Sequence, residues 1–287
     1  MPRESGLHLR FALPYLDRDR FIPSIAHPFF LDRYPDEREG KESQERVGLF
    51  SGCSINFLFP SIGESTVRLL TRHRFAVALP KDQACCGLPA FGSGDLETAR
   101  ALARRNLKAF QHLNLKRILV PCASCFYFLK EGYLKLFPGD EEVRRWTERI
   151  VEPSVFFSKE TDLLRSPDHP ADPEKKIRIT YHDPCHLKRE MKIYQEPRSL
   201  LRSMPDIDLI EMKQPNRCCG MGGSFNLVYY DLSKKILRHK LDDIASTRAD
   251  AVVTSCMGCM IQLKDGLRQS KANTKVLHLM EVLERSF

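Results

Sequence analysis

Apolar positions along the chain follow two alternating rhythms. Short unbroken runs, "RVGLF" at 46–50, "FAVAL" at 75–79 and "RILV" at 117–120, have the length of buried strands. Between them, apolar residues recur every three to four positions, as in "SIGESTVRLLTRHR" and "DLETARALARRNLKAFQHL". That is the spacing of helices with one buried face, and Asp95 is placed to cap the second of them. The order then returns: the run "IRITY" at 177–181, the strand-like "DIDLIEM", the helical "LVYYDLSKKILRHKLDDIAS", the run "ADAVVTS", and a last strand and helix in "TKVLHLMEVLERSF". Strands alternating with helices predict an α/β chain of two tandem, pseudo-symmetric units, each a small, mostly parallel sheet with covering helices.

Punctuation sets the boundaries. The proline- and charge-rich "RSPDHPADPEKK", residues 165–176, reads as a linker between a first unit at 47–164 and a second at 177–287. Residues 1–46 stand outside the repeat as an N-terminal extension. The aromatics of "HPFFLDRY" in that extension are expected to be exposed and to dock a partner.

Composition narrows the class. Hydrophobic residues make up 42% and charged residues 29%, as in a globular protein. No uncharged apolar stretch reaches the ~18 residues of a membrane span, and the N-terminus lacks a secretory apolar run. The expected location is cytoplasmic, with peripheral membrane association open only through partners. A net charge of +8 raises nucleic acid as a partner, but the basic residues are scattered over helical stretches such as "KKILRHK", so none is expected.

The ten cysteines change the picture most. Cys53, Cys85, Cys86, Cys122 and Cys125 read C-x31-C-C-x35-C-x2-C. Cys185, Cys218, Cys219, Cys256 and Cys259 read C-x32-C-C-x36-C-x2-C. Corresponding members lie 132, 133, 133, 134 and 134 residues apart, an internal repeat that uses every cysteine. Each set follows the carboxyl ends of predicted strands, where open α/β sheets bind ligands. Each C-x-x-C sits where a strand passes into a helix, whose N-terminal dipole favours thiolate.

Three readings compete. A disulfide framework calls for an oxidising compartment and usually a small secreted chain. Structural zinc takes four ligands and leaves one thiol of each set unused, so zinc stays open at one site. An iron–sulfur cluster is held by thiolates, and one with several irons can use an additional or bridging thiolate. Adjacent cysteines point in different directions, so one loop can serve two irons. Gly87 and Gly220, directly after the pairs, permit close backbone approach and are candidate cofactor-contacting positions.

These motifs, C-x31-C-C-G-x34-C-x2-C and C-x32-C-C-G-x35-C-x2-C, resemble the cysteine-rich CCG domains of heterodisulfide reductase. They are similar also to those of the iron–sulfur subunits of glycolate, lactate and anaerobic glycerol-3-phosphate oxidoreductases. The resemblance covers residues 47–287. It implies [4Fe–4S] clusters, noncubane in the heterodisulfide reductase branch, one per five-cysteine set, with zinc at one site in some relatives. The glycolate-type subunits usually carry a ferredoxin-like domain with C-x2-C-x2-C-x3-C-P runs, which this sequence lacks.

The reading that follows is an iron–sulfur electron-transfer subunit of a hetero-oligomeric oxidoreductase. It would pass electrons between a flavoprotein or ferredoxin-like partner and an acceptor. Two alternatives stay open: a thiol–disulfide reductase acting at a cluster of this chain, and a zinc-bearing assembly module. Near Cys185, "YHDPCHLKRE" offers His182 and His186 as candidate catalytic, proton-handling groups. Lys188, Arg189 and Arg217 are candidates to hold an anion. The aromatics of "CFYFLKEGYLKLF" read as core, and no Gly-x-Gly-x-x-Gly fingerprint supports a bound dinucleotide.

Overall fold

The computed structural model describes residues 20–35, 45–159 and 176–285. Its strands form two four-stranded, wholly parallel sheets. In the first, β1 (Arg46–Leu49), β2 (Ala76–Ala78), β3 (Arg117–Leu119) and β4 (Ile150–Val151) lie in the order β2-β1-β3-β4. In the second, β5 (Ile177–Tyr181), β6 (Ile207–Leu209), β7 (Ala251–Thr254) and β8 (Lys275–His278) lie in the matching order β6-β5-β7-β8. Val47 sits opposite Val77 and Arg117, and Ile179 opposite Leu209 and Ala251. The central strands are apolar because both their faces are covered; Val47, Leu49, Leu119, Val252 and Val253 are fully buried. In this order the winding of successive strands across the sheet reverses between β1 and β3, and between β5 and β7, which opens a crevice at their carboxyl ends.

The predicted helices form where the apolar spacing places them. "SIGESTVRLLTRHR" gives helix Pro60–Arg72, and "DLETARALARRNLKAFQHL" gives helix Leu96–Gln111, whose cap Asp95 accepts from Thr98 N at 3.0 Å. The second repeat places helix Tyr230–Thr247 in the corresponding position. No helix among the described residues is long and apolar enough to cross a membrane.

The two repeats interlock. The last helix of the second, Leu279–Arg285, lies on helix Pro60–Arg72 of the first. Glu284 there pairs with Arg68 at 2.8 Å and Arg72 at 3.4 Å. Reciprocally, helix Pro153–Lys159 of the first repeat packs on helix Gln195–Ser203 of the second. The expected linker lies outside the described residues apart from Lys176.

The described part of the N-terminal extension corrects an expectation. Phe30 is fully buried over Gly63, and Leu31 is buried beside it. Phe30 N donates to Asn56 O at 3.0 Å, and Ala26 N to Phe57 O at 2.7 Å. At the other end, Phe21 N donates to Asp265 Oδ1 at 2.7 Å, and the Arg20 guanidinium lies 4.5 Å over the Tyr230 ring. Residues 20–35 therefore tie both repeats together, and Phe30 fills core instead of facing outward.

Candidate metal centre

Each cysteine lies at the carboxyl end of its sheet. Cys53 enters helix Gly52–Phe57 directly after β1, and Cys85–Cys86 occupy the loop after β2. Cys122 caps helix Ala123–Tyr127 after β3, with Cys125 on its first turn. The second repeat repeats the plan, with Cys185 after β5, Cys218–Cys219 after β6, and Cys256 capping helix Met257–Gln269, which carries Cys259. All ten thiols are free.

The paired cysteines diverge as adjacency requires. Cys85 is half-buried and turned toward Cys53, while Cys86 is buried and turned toward Cys125. In the second pair Cys218 is exposed and Cys219 is buried against Cys259. Gly87 and Gly220 follow with φ of 96° and 88°. A Cβ at Gly220 would meet Ser233 O at 2.7 Å, so the approach that glycine permits here is to the following helix. Gly87 is placed likewise, where a Cβ would meet Ala99 O at 3.3 Å.

Proximity among the thiols pushes their ionisation in opposite directions. Contacts from Cys125 and Cys85 pull the buried Cys86 thiol down to about 5. Cys219 is held well below its ordinary value by Cys218 and Cys259, with His182 adding to the effect. Cys256 is likewise held down by Cys122 and Cys259. Cys53 rises because Cys85 takes its hydrogen bond and burial disfavours its charge. Buried thiols that share protons in this way suit a thiophilic metal, which replaces the shared protons and binds thiolate.

The two sets meet. Ala123 N of the first donates to Ser255 O of the second at 2.8 Å, which brings Cys122 and Cys256 near enough to influence each other's ionisation. Ser124 Oγ lies 3.5 Å from Cys256 Sγ and 3.0 Å from His186 Nδ1. The His186 ring stacks on Tyr127 with centroids 4.8 Å apart and planes 3° from parallel. His186 therefore reaches across to the first repeat. Tyr127 departs from the core reading of "CFYFLKEGYLKLF", whereas Phe126, Phe128 and Tyr133 are buried as expected.

His182 is buried, and its Nδ1 has no hydrogen-bond partner. One ring nitrogen of His182 and the sulfurs of Cys219 and Cys259 all lie within 4.8 Å of one another. The second set thus offers a nitrogen donor beside its thiols, the donor chemistry of a thiophilic site. The basic candidates are partly occupied: Lys188 Nζ sits 3.0 Å over the Tyr194 ring, and Arg189 donates to Asn216 O at 3.1 Å.

Two residues escaped sequence reasoning. Asn106, fully buried, accepts from Ala84 N at 2.7 Å and donates to Cys85 O at 2.9 Å, fixing the first paired loop. Lys240, also fully buried, donates to Gln214 O at 2.7 Å and Pro215 O at 3.2 Å, fixing the second. The signal that could have found it was register: Lys240 falls on the buried stripe of its helix with Leu237 and Ile244, where a solvated lysine does not belong.

Comparison with known proteins bears on this arrangement. A family described as the cysteine-rich domain matches residues 47–130 and again 179–264. An iron-sulfur protein of Methanococcus maripaludis, itself uncharacterized, is 32% identical over 97% of this chain and 54% of its own length. A fumarate reductase (CoM/CoB) subunit of Methanothermobacter marburgensis is 31% identical over 88% of this chain and 48% of its own. A lactate utilization protein A of Bacillus cereus is 31% identical over 84% of this chain and 98% of its own. The chain spans about half the length of the methanogen relatives and nearly all of the Bacillus one.

Proposed function

The chain belongs to the cysteine-rich domain family, which it carries twice, and from that premise we propose that it is an iron–sulfur electron-transfer subunit of a larger oxidoreductase. The observation that carries this reading is the meeting of two five-thiol sets, where Ser124, between Cys122 and Cys125, reaches Cys256 Sγ at 3.5 Å. The names of the relatives, an iron-sulfur protein, a fumarate reductase subunit and a lactate utilization protein, support it.

Cys53, Cys85, Cys86, Cys122 and Cys125 would hold one [4Fe–4S] cluster, and Cys185, Cys218, Cys219, Cys256 and Cys259 the other. Such clusters supply one-electron transfer without bond breaking in the protein. The chain's own part is to bury the inner thiols, to bring the two sets into contact, and to leave Cys218 at the surface. A flavoprotein or ferredoxin-like partner would exchange electrons with this chain, and a 2-hydroxy acid oxidised on that partner is the substrate class. Exposure of Cys218 favours a second reading, reduction of a disulfide at the second set.

The two readings separate in one experiment. Purified anaerobically and reduced, the isolated chain is expected to give up electrons to an artificial acceptor but to oxidise no 2-hydroxy acid unaided. Oxidation of lactate or glycolate by the chain alone overturns the subunit reading. Stoichiometric thiol release from a disulfide favours the second.

A further inference from the structure

Superposing the repeats by their cysteine spacing exposes a difference at equivalent positions. His182 N donates to Val253 O at 2.8 Å as Phe50 N donates to Leu119 O at 2.9 Å, so His182 stands where the first repeat has Phe50. Gly220 lies against Ser233 O as Gly87 lies against Ala99 O, which sets the helix offset at 134 and places Lys240 where the first repeat has Asn106. At both positions the first set has a neutral residue and the second a basic one. Resting on the reading that both sets hold iron–sulfur clusters, we propose that the second set is the more readily reduced of the two, because Lys240 and His182 favour added negative charge there.

Lys240 carries most of this. Its ammonium is buried and held by the carbonyls of Gln214 and Pro215, in the loop leading to Cys218–Cys219, and Asp243, then Cys219 and Asp183, act on it as neighbouring acids. Burial pulls it down only to about 8, so it keeps its charge at neutral pH. Asn106 makes corresponding loop contacts without charge. A buried positive charge stabilises the reduced, more negative state of a nearby centre, and hydrogen bonds to its sulfurs act in the same direction. His182 adds a ring nitrogen beside Cys219 and Cys259, where Phe50 offers none.

Asp183, another buried charge of the second repeat, is matched by a buried cation. Asp183 receives two hydrogen bonds from Arg198, at 2.7 and 3.2 Å. Arg198 also pairs with Glu211, and Arg202 pairs with Glu211 in turn, so two carboxylates face two guanidiniums. In the first repeat the residue equivalent to Asp183 is Ser51, whose N and Oγ bind Gln83 Oε1 without charge. Asp183 is thus matched by Arg198, and Asp243, half-buried, is taken up by Lys213 N at 2.9 Å and Gln214 N at 2.8 Å, which leaves Lys240 as the fully buried charge beside this loop.

The test is a potentiometric titration with dithionite, followed by electron paramagnetic resonance, on chains whose iron content is measured first. Wild type is expected to reduce in two waves. Lys240→Gln should move the higher wave down, lowering the reduced-to-oxidised ratio at the old midpoint roughly tenfold, about 59 mV for a one-electron couple, and leave the lower wave in place. Lys240→Arg, which keeps the charge, should leave both waves, and His182→Phe should move the higher wave down. Should Lys240→Gln lose iron, His182→Phe and the reverse exchange Phe50→His, which should raise the lower wave, decide the matter. Full iron with unmoved waves overturns this inference alone. A wild-type chain without iron overturns the parent reading, and this one with it.

Discussion

Cys122 and Cys256 show why single residues matter here: each stands at the N-terminus of a helix of its own repeat, and the two lie near each other across the repeats. Ser124 makes the contact, since its hydroxyl reaches Cys256 Sγ from the opposite repeat. Ser124→Ala is therefore expected to alter the visible and paramagnetic spectrum of the second centre while iron content holds; a spectrum identical to wild type would count against the contact. Losing such a hydrogen bond costs on the order of 1 kcal/mol, too little to unfold the chain. Cys219→Ser should remove about half of the iron, because serine is a harder ligand and Cys219 is buried among its set. Unchanged iron in that variant would exclude Cys219 as a ligand. The cysteines were legible in the sequence because thiolate chemistry demands that residue type at those intervals. The approach of Cys122 to Cys256 was not, because it depends on how two units face each other, which spacing within a unit does not encode.

Among the elements, the strand-to-helix junctions position the chemistry, and one junction carries a pH dependence. Glu152 follows β4 and caps helix Pro153–Lys159, accepting from Ser154 N at 2.6 Å and Val155 N at 3.2 Å. Burial pushes its carboxyl from 4.5 up to about 7, against the pull of those hydrogen bonds. Because the folded value lies above the unfolded one, the folded state binds the extra proton between about 4.5 and about 7. Stability from this group is complete below that window and is lost as pH rises through about 7. Glu152→Gln keeps an acceptor for the cap and should flatten that loss, gaining up to about 3 kcal/mol at pH above 7. Urea unfolding on both sides of the window measures it; parallel curves for variant and wild type would remove the carboxyl as the cause. The elements themselves were legible, because short apolar runs and 3.6-residue spacing leave few alternatives. Lys240 was not, since one lysine in "KKILRHK" looks like its solvated neighbours until the helix is turned to its buried face.

At the scale of the whole molecule, the repeats form one interlocked body. Helix Leu279–Arg285 rests on the first repeat, helix Pro153–Lys159 on the second, and residues 20–35 touch both. Phe30→Ala should cost about 3–5 kcal/mol, the penalty for emptying a fully buried aromatic site. A thermal midpoint equal to wild type would return this segment to the role of a docking arm. The sequence misled at this point for a physical reason: prolines and weak periodicity mark a segment without regular structure, and such a segment can still be buried. Both five-thiol sets are expected to hold iron. Metal and acid-labile sulfide analysis of the anaerobically purified chain, beside its paramagnetic resonance spectrum, tests it most directly. Two clusters predict about eight irons and matching sulfide per chain, four for each five-thiol set. Zinc with no iron, or an iron content undiminished by serine replacement of all five cysteines in either set, would contradict it.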